Sequence, residues 1–210
     1  MKSFLFSFCC LMAIAFYSCK NKSDEPGTLE SLSKLKDISE NIVKEAEKST
    51  SRWEERKAKG DTLAMTYKDL QAYLPEISGY TSEQGPKGSQ MNTPGLGSWS
   101  QGEQEYTNGE KRVEASIMDY NAAHQAFAGL TAMYGLGMSM EDDEKRQGPV
   151  DMGIKGVGAY ETIYKKEKRS ELTLIVGDRF IISLKSEGEN DESFLRSVAK
   201  SMKLEELANK

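Results

Sequence analysis

"ELTLIVGDRFIISLKSE", residues 171–187, places two strongly apolar runs on either side of Gly177-Asp178. Short runs rich in Leu, Ile and Val, broken by a Gly-Asp pair, predict two strands joined by a tight turn. "GAYETIYKKE" (158–167) adds a strand before them. A second group, "SWSQGEQEYT" (98–107) and "KRVEASIMDY" (111–120), flanks Asn108-Gly109-Glu110, where Asn-Gly is a strong hairpin signal. Val113, Ala115 and Ile117 alternate with Glu114 and Ser116, so that strand has one wet face.

Helical patterns surround these strands. Residues 28–59 repeat Leu29, Leu32, Leu35, Ile38, Ile42 and Ala46 at spacings of three and four, giving an apolar stripe that thins towards Trp53. Thr28 can cap its start and Gly60 its end. A short helix is expected over Tyr67–Leu74, stopping before Pro75. A Gly/Ala/Met-rich helix is expected over Ala122–Tyr134, fraying at Gly135 and Gly137. The chain closes on "DESFLRSVAKSMKLEELAN" (191–209), with Asp191 or Ser193 as cap and Leu195, Val198 and Met202 facing inward. "SEQGPKGSQMNTPGLGS" (82–98) reads as a long loop. The predicted fold class is α+β: an N-terminal amphipathic helix, then an antiparallel sheet of about five strands packed with helices. Residues 62–208 resemble uncharacterised bacterial cell-envelope domains with a Leu74-Pro75 entry, a hairpin, a Gly/Ala/Met helix and a sheet-then-helix ending. That resemblance implies no activity.

The first residues have another character. Met1-Lys2 precedes "SFLFSFCCLMAIAFYS", an apolar run too short for the ~20 residues of a spanning helix. A basic start, a short apolar core and a small residue before a cut point describe a secretory signal peptide. The edge "FYSCKNKSDEP" (16–26) resembles the lipobox of bacterial lipoproteins, in which cleavage after Ser18 leaves a diacylated Cys19 as the first mature residue. Phe16 and Tyr17 depart from the commonest residues of that pattern. The resemblance implies a lipid anchor, with palmitate-type acyl chains holding the protein to a membrane. Asp is missing directly after Cys19, and Lys22-Ser23-Asp24-Glu25 resembles the tethers of surface-exported lipoproteins. Outer-membrane location, facing the periplasm or the cell surface, is therefore expected. Residues 1–18 are read as signal, 19–27 as tether, 28–59 as helix or stalk, and 60–210 as the globular domain.

With the signal removed only Cys19 remains of the three cysteines, so an intrachain disulfide is excluded. A net charge of −5 argues against nucleic acid as a partner. His124 is the only histidine, so a catalytic triad or a two-histidine metal site lacks its parts; it reads as a water-exposed helix-start residue. Glu141-Asp142-Asp143-Glu144 reads as a solvated turn rather than a calcium loop. "GIKGVG" (153–158) precedes a strand, whereas a dinucleotide fingerprint follows one. Asp61-Thr62-Leu63 resembles the short O-glycosylation acceptor of some surface-exporting bacteria, with Thr62 as its hydroxyl.

Met133, Met138, Met140 and Met152 gather near the glycine-rich helix end, as a packing patch, an apolar ligand site or a Cu(I) site; packing is the reading adopted. No metal and no cofactor is called for. The expected function is that of a lipid-anchored envelope protein with a non-catalytic binding or structural accessory domain, partnered by the membrane and another envelope protein. One alternative is a carrier of a small apolar ligand or lipid, with residues 126–140 as its mouth. The other is an envelope enzyme with a Ser/carboxylate site assembled by the fold.

Overall fold

The computed structural model describes residues 28–93 and 97–210. The chain divides into two compact units, residues 1–36 and 37–210. Residues 28–36, the described part of the first, are helical and begin α1 (Thr28–Ala58). The second unit holds α2 (Tyr67–Gln71), β1 (Lys87–Thr93), β2 (Gly97–Asn108), β3 (Lys111–Asp119), a 3-10 turn (Asn121–Ala123) and α3 (His124–Gly135). It continues with β4 (Met140–Glu141), β5 (Lys145–Pro149), β6 (Val157–Tyr164), β7 (Arg169–Val176), β8 (Phe180–Glu187), α4 (Phe194–Ser201) and α5 (Leu204–Ala208).

Among the described residues, all eight strands form one antiparallel sheet in the order β1-β2-β3-β8-β7-β6-β5-β4. Two meanders, β1 to β3 and β4 to β8, meet along β3 and β8, where Ile117 lies opposite Ile182. This overturns the expected layer of about five strands packed with helices. β1, β4 and β5 are the added strands, and the described residues of β1 and β4 are exposed. A strand with no buried face has no reason to alternate, so β1 reads as loop in the sequence. The helices are also few: α2, α4 and α5 have eight residues or fewer. α1 covers nearly its expected span, but the leucine and isoleucine side chains of its stripe lie outside the described residues. Ala46, at the end of that stripe, is exposed, and the described attachments of α1 to the sheet are polar.

The inner face carries the core. Val113, Ile117, Leu172, Leu174, Ile182 and Leu184 are fully buried against Leu70 of α2, Leu195 of α4 and Leu204 and Leu207 of α5. The terminal helical segment thus places Leu195, Val198 and Met202 inward as its spacing predicts. Tyr106 donates to the Pro75 carbonyl at 2.5 Å inside this layer, and burial pushes its hydroxyl up to about 12.

The β7–β8 turn predicted from Gly177-Asp178 is present, with both residues in the left-handed region (φ 62° and 55°). Gly177 is also where α5 docks: a Cβ there would sit 3.1 Å from the Ala208 Cα and from the Leu207 and Ala208 carbonyl oxygens. Gly177→Ala is expected to cost about 1–3 kcal/mol, through the left-handed backbone and the displaced helix end. Urea unfolding should show the loss, and hydrogen exchange should place the lost protection in residues 204–208. An unchanged midpoint would contradict this docking.

Candidate binding site

The described residues offer two polar constellations. One is buried, where the meanders meet. Asp119, the last residue of β3, is fully buried, and the Arg179 guanidinium forks onto it, Nε to Oδ1 at 3.0 Å and Nη2 to Oδ2 at 2.7 Å. The Asn121 N–H adds a second donor to Oδ1 and the Met65 N–H a second to Oδ2. Arg179 reaches Asp61 through Nη1 at 2.8 Å. The Asn121 amide nitrogen donates to Asp61 and to the Leu63 carbonyl, and its Oδ1 accepts from Arg56 Nε at 2.8 Å. Trp53 Nε1 donates to the Asn121 carbonyl, and Arg52 bonds Asp178 at 2.8 Å. Burial, then the neighbouring Arg179, pulls the Arg56 guanidinium below its ordinary value.

Each oxygen of Asp119 therefore accepts from two donors, and neither is left free for a ligand. The cluster is a clamp. It fastens the end of α1 and the 61–65 linker to the sheet at the junction of its two halves. Removing one member of such a buried pair strands the other charge.

The second constellation is open. On β2, residues 98, 100, 102 and 106 face inward and are buried, so Gln101, Glu103, Glu105 and Thr107 face outward. Their registers bring Glu103 beside Ser116 and Ser183, and Glu105 beside Glu114 and Lys185. With Lys87 and the 82–85 loop they line a trough of about 430 Å³ on the outer face. Glu105 and Glu114 are like charges directly opposite, which costs stability unless relieved. Arg112 relieves it, at 2.8 Å from one and 2.7 Å from the other. The lining is amide, hydroxyl, carboxylate and ammonium, with no aromatic residue. Such a surface is more polar than apolar and can hydrogen-bond a polar partner. Alternation predicts these outward positions, but any solvated sheet face alternates in the same way, so the sequence does not mark them as a site.

The residues singled out in the sequence lie elsewhere. Ser18 and Cys19 fall outside the described residues, as does the Met133 side chain. Of the described methionine side chains, Met152 is in the core, whereas Met138 and Met140 are 55% and 45% exposed. Packing thus describes Met152 and fails for the other two. Tyr134 of α3 meets the outward-facing Tyr160 with ring centroids 5.3 Å apart, and the Tyr160 hydroxyl donates to the Met138 carbonyl. Thr62 is exposed beside the clamped Asp61, and Leu63 is 67% exposed. His124 is not simply water-exposed as expected. It stacks on Trp53, centroids 5.4 Å apart, and burial and Arg56 lower its pKa from the ordinary value. Among the described residues no three acidic, histidine or cysteine side chains converge to hold a metal, and no helix is long and apolar enough to cross a membrane.

Among the described residues, Glu161 is the one nearly buried carboxylate with an unmet oxygen. It faces inward from β6, and its Oε1 lies 3.6 Å from Arg196 Nε, too far for a hydrogen bond. Arg146 of β5 and Glu192 of the loop before α4 are the other charges acting on it. Burial raises its pKa, against the pull of Arg196 and Arg146. No family model, curated protein or solved structure matches this chain.

Two predictions follow from these geometries. Asp119→Ala should destabilise the domain by about 3–5 kcal/mol in chemical denaturation; a loss typical of an exposed ion pair would contradict the clamp. Because the Glu161 pKa is raised on folding, the native state holds its proton more tightly than the unfolded chain. Stability is then lost as pH rises from the unfolded value towards the folded one. Glu161→Gln should therefore match the parent in acid and exceed it by about 1 kcal/mol at neutral pH. A difference independent of pH would refute the assignment.

Proposed function

We propose that this chain is a lipid-anchored protein of the bacterial cell envelope, held at the outer membrane through Cys19, whose sheet domain is a non-catalytic binding module for a polar partner. The trough on the outer face carries the second half of that reading. The inner face is sealed by α2, α4 and α5, while the trough presents hydrogen-bonding side chains from four strands to solvent. Its lining also favours this reading over carriage of an apolar ligand. The serines there, Ser82, Ser116 and Ser183, share the trough with carboxylates but not with the histidine, so no general base of that type serves them. The anchor rests on the sequence around Ser18 and Cys19.

A photo-crosslinking residue at Ser183 in the full chain should give a discrete adduct in cells. The same residue at Lys200, exposed on α4, should give none, and Glu103→Lys with Glu114→Lys should abolish the Ser183 adduct. Equal labelling at both positions, or none at Ser183, would remove the support for the trough. Hydrolysis of an ester, peptide or glycoside panel that Ser183→Ala abolishes would move the protein to the enzymes. For the anchor, Cys19→Ala should eliminate acyl labelling and either release the protein from membranes or leave its signal uncut.

A further inference from the structure

The two edges of the sheet are built differently. At one, β4 is two residues long, and Lys165 bonds both the Glu141 carboxylate and the Asp142 carbonyl, so charge and shortness blunt it. At the other, β1 runs seven residues, Lys87–Thr93, with one charge and no proline inside it. Its inner edge is fully paired to β2, from Lys87 opposite Glu103 to Thr93 opposite Gly97. Its outer edge has no strand partner among the described residues. Pro86 and Pro94 bracket the strand, limiting further pairing to these seven residues. α2 lies over the inward side of β1, where Tyr67 occupies the space above Gly88.

We propose that the outer edge of β1 is an interface for a second copy of this chain, added antiparallel about a two-fold axis at Gln90. The strand's own sequence selects this occupant. Pairing about residue 90 sets Gln90 opposite its counterpart, Ser89 opposite Met91, Gly88 opposite Asn92 and Lys87 opposite position 93. The single charge therefore never meets itself. On the outward face, Met91 is 49% exposed and adjoins Trp99 in register. The two-fold places the Met91 residues of the two copies on one diagonal, within reach of long side chains. A Trp99–Met91 strip then continues across the axis, and the joined sheets have sixteen strands. This interface is independent of the trough and of what the trough binds.

The full chain with Cys9, Cys10 and Cys19 replaced by serine, purified and examined by sedimentation equilibrium, should self-associate to a dimer. Gln90→Lys, which opposes two ammonium groups on the axis at an exposed position, should weaken that dimer about tenfold or more while the circular dichroism stays unchanged. In the same background Gln90→Cys should form a covalent dimer on mild oxidation, because directly opposed residues lie within disulfide range. Ser89→Cys, set opposite Met91, should cross-link far less. A monomer up to the solubility limit would overturn the proposal. So would a dimer that Gln90→Lys leaves intact, or equal cross-linking from positions 89 and 90. Protection of the β1 amides in gently extracted protein, when the purified chain is monomeric, would assign the edge to a foreign strand and equally overturn it.

Discussion

The Arg179 guanidinium on the Asp119 carboxylate fixes where the two halves of the sheet meet. β3 and β8 are separated by sixty residues, and hydrophobic matching along them, Ile117 beside Ile182 and Ala115 beside Leu184, specifies only which face is buried. The forked ion pair at the strand end adds position. A guanidinium satisfies both carboxylate oxygens in one plane and still spares a nitrogen for Asp61, which a lysine ammonium on a flexible stem cannot reproduce. Two backbone amides complete the coordination of Asp119, and the Tyr120 N–H donates to the Arg179 carbonyl. Burying these charges brings little net stability, since desolvation opposes the attraction. What it fixes is register, since a slip of one residue between β3 and β8 would draw the Arg179 Nε and Nη2 donors off Asp119.

That contact also explains how α1 meets the sheet. The sequence suggests an apolar stripe seeking a groove, yet the described attachments are Arg52, Trp53 and Arg56 reaching Asp178 and Asn121. Asn121 serves as the hub because its amide donates and accepts at once. It ties the linker at Asp61 and Leu63 to the helix at Arg56. None of this appears as a motif, because the participants are scattered from residue 52 to residue 179 and become neighbours only through the fold.

Legibility in the sequence followed burial. β3, β7 and β8 are recognisable because every second residue faces a core, and α4 because Leu195 and Val198 share one buried face. The Gly177-Asp178 turn is recognisable because few residues tolerate two successive left-handed conformations. β1 and β4 escape because their described residues, all exposed, carry no alternating apolar pattern. The trough escapes for a related reason. Glu103, Ser116 and Ser183 are ordinary surface residues until the registers set them side by side. The stacking of His124 is hidden from the sequence because its partner, Trp53, lies seventy-one residues upstream.

The two ends of the sheet show how one architecture handles opposite needs. An antiparallel meander must stop somewhere, and each stop exposes backbone donors and acceptors. At β4 the stop is abrupt. The strand ends after two residues, Asp142 turns the chain by accepting from the Glu144 and Lys145 N–H groups, and Lys165 caps the corner. At β1 the chain instead extends a full-length strand of small and amide side chains, with Gly88 forced by the Tyr67 ring above it. Had solubility been the only demand on that edge, one inward charge or one proline in the middle would have met it with no loss of core. The sequence places its prolines at 86 and 94, outside the pairing length rather than within it. Proline there defines the limits of a strand edge without blocking it, which is the arrangement a pairing surface requires.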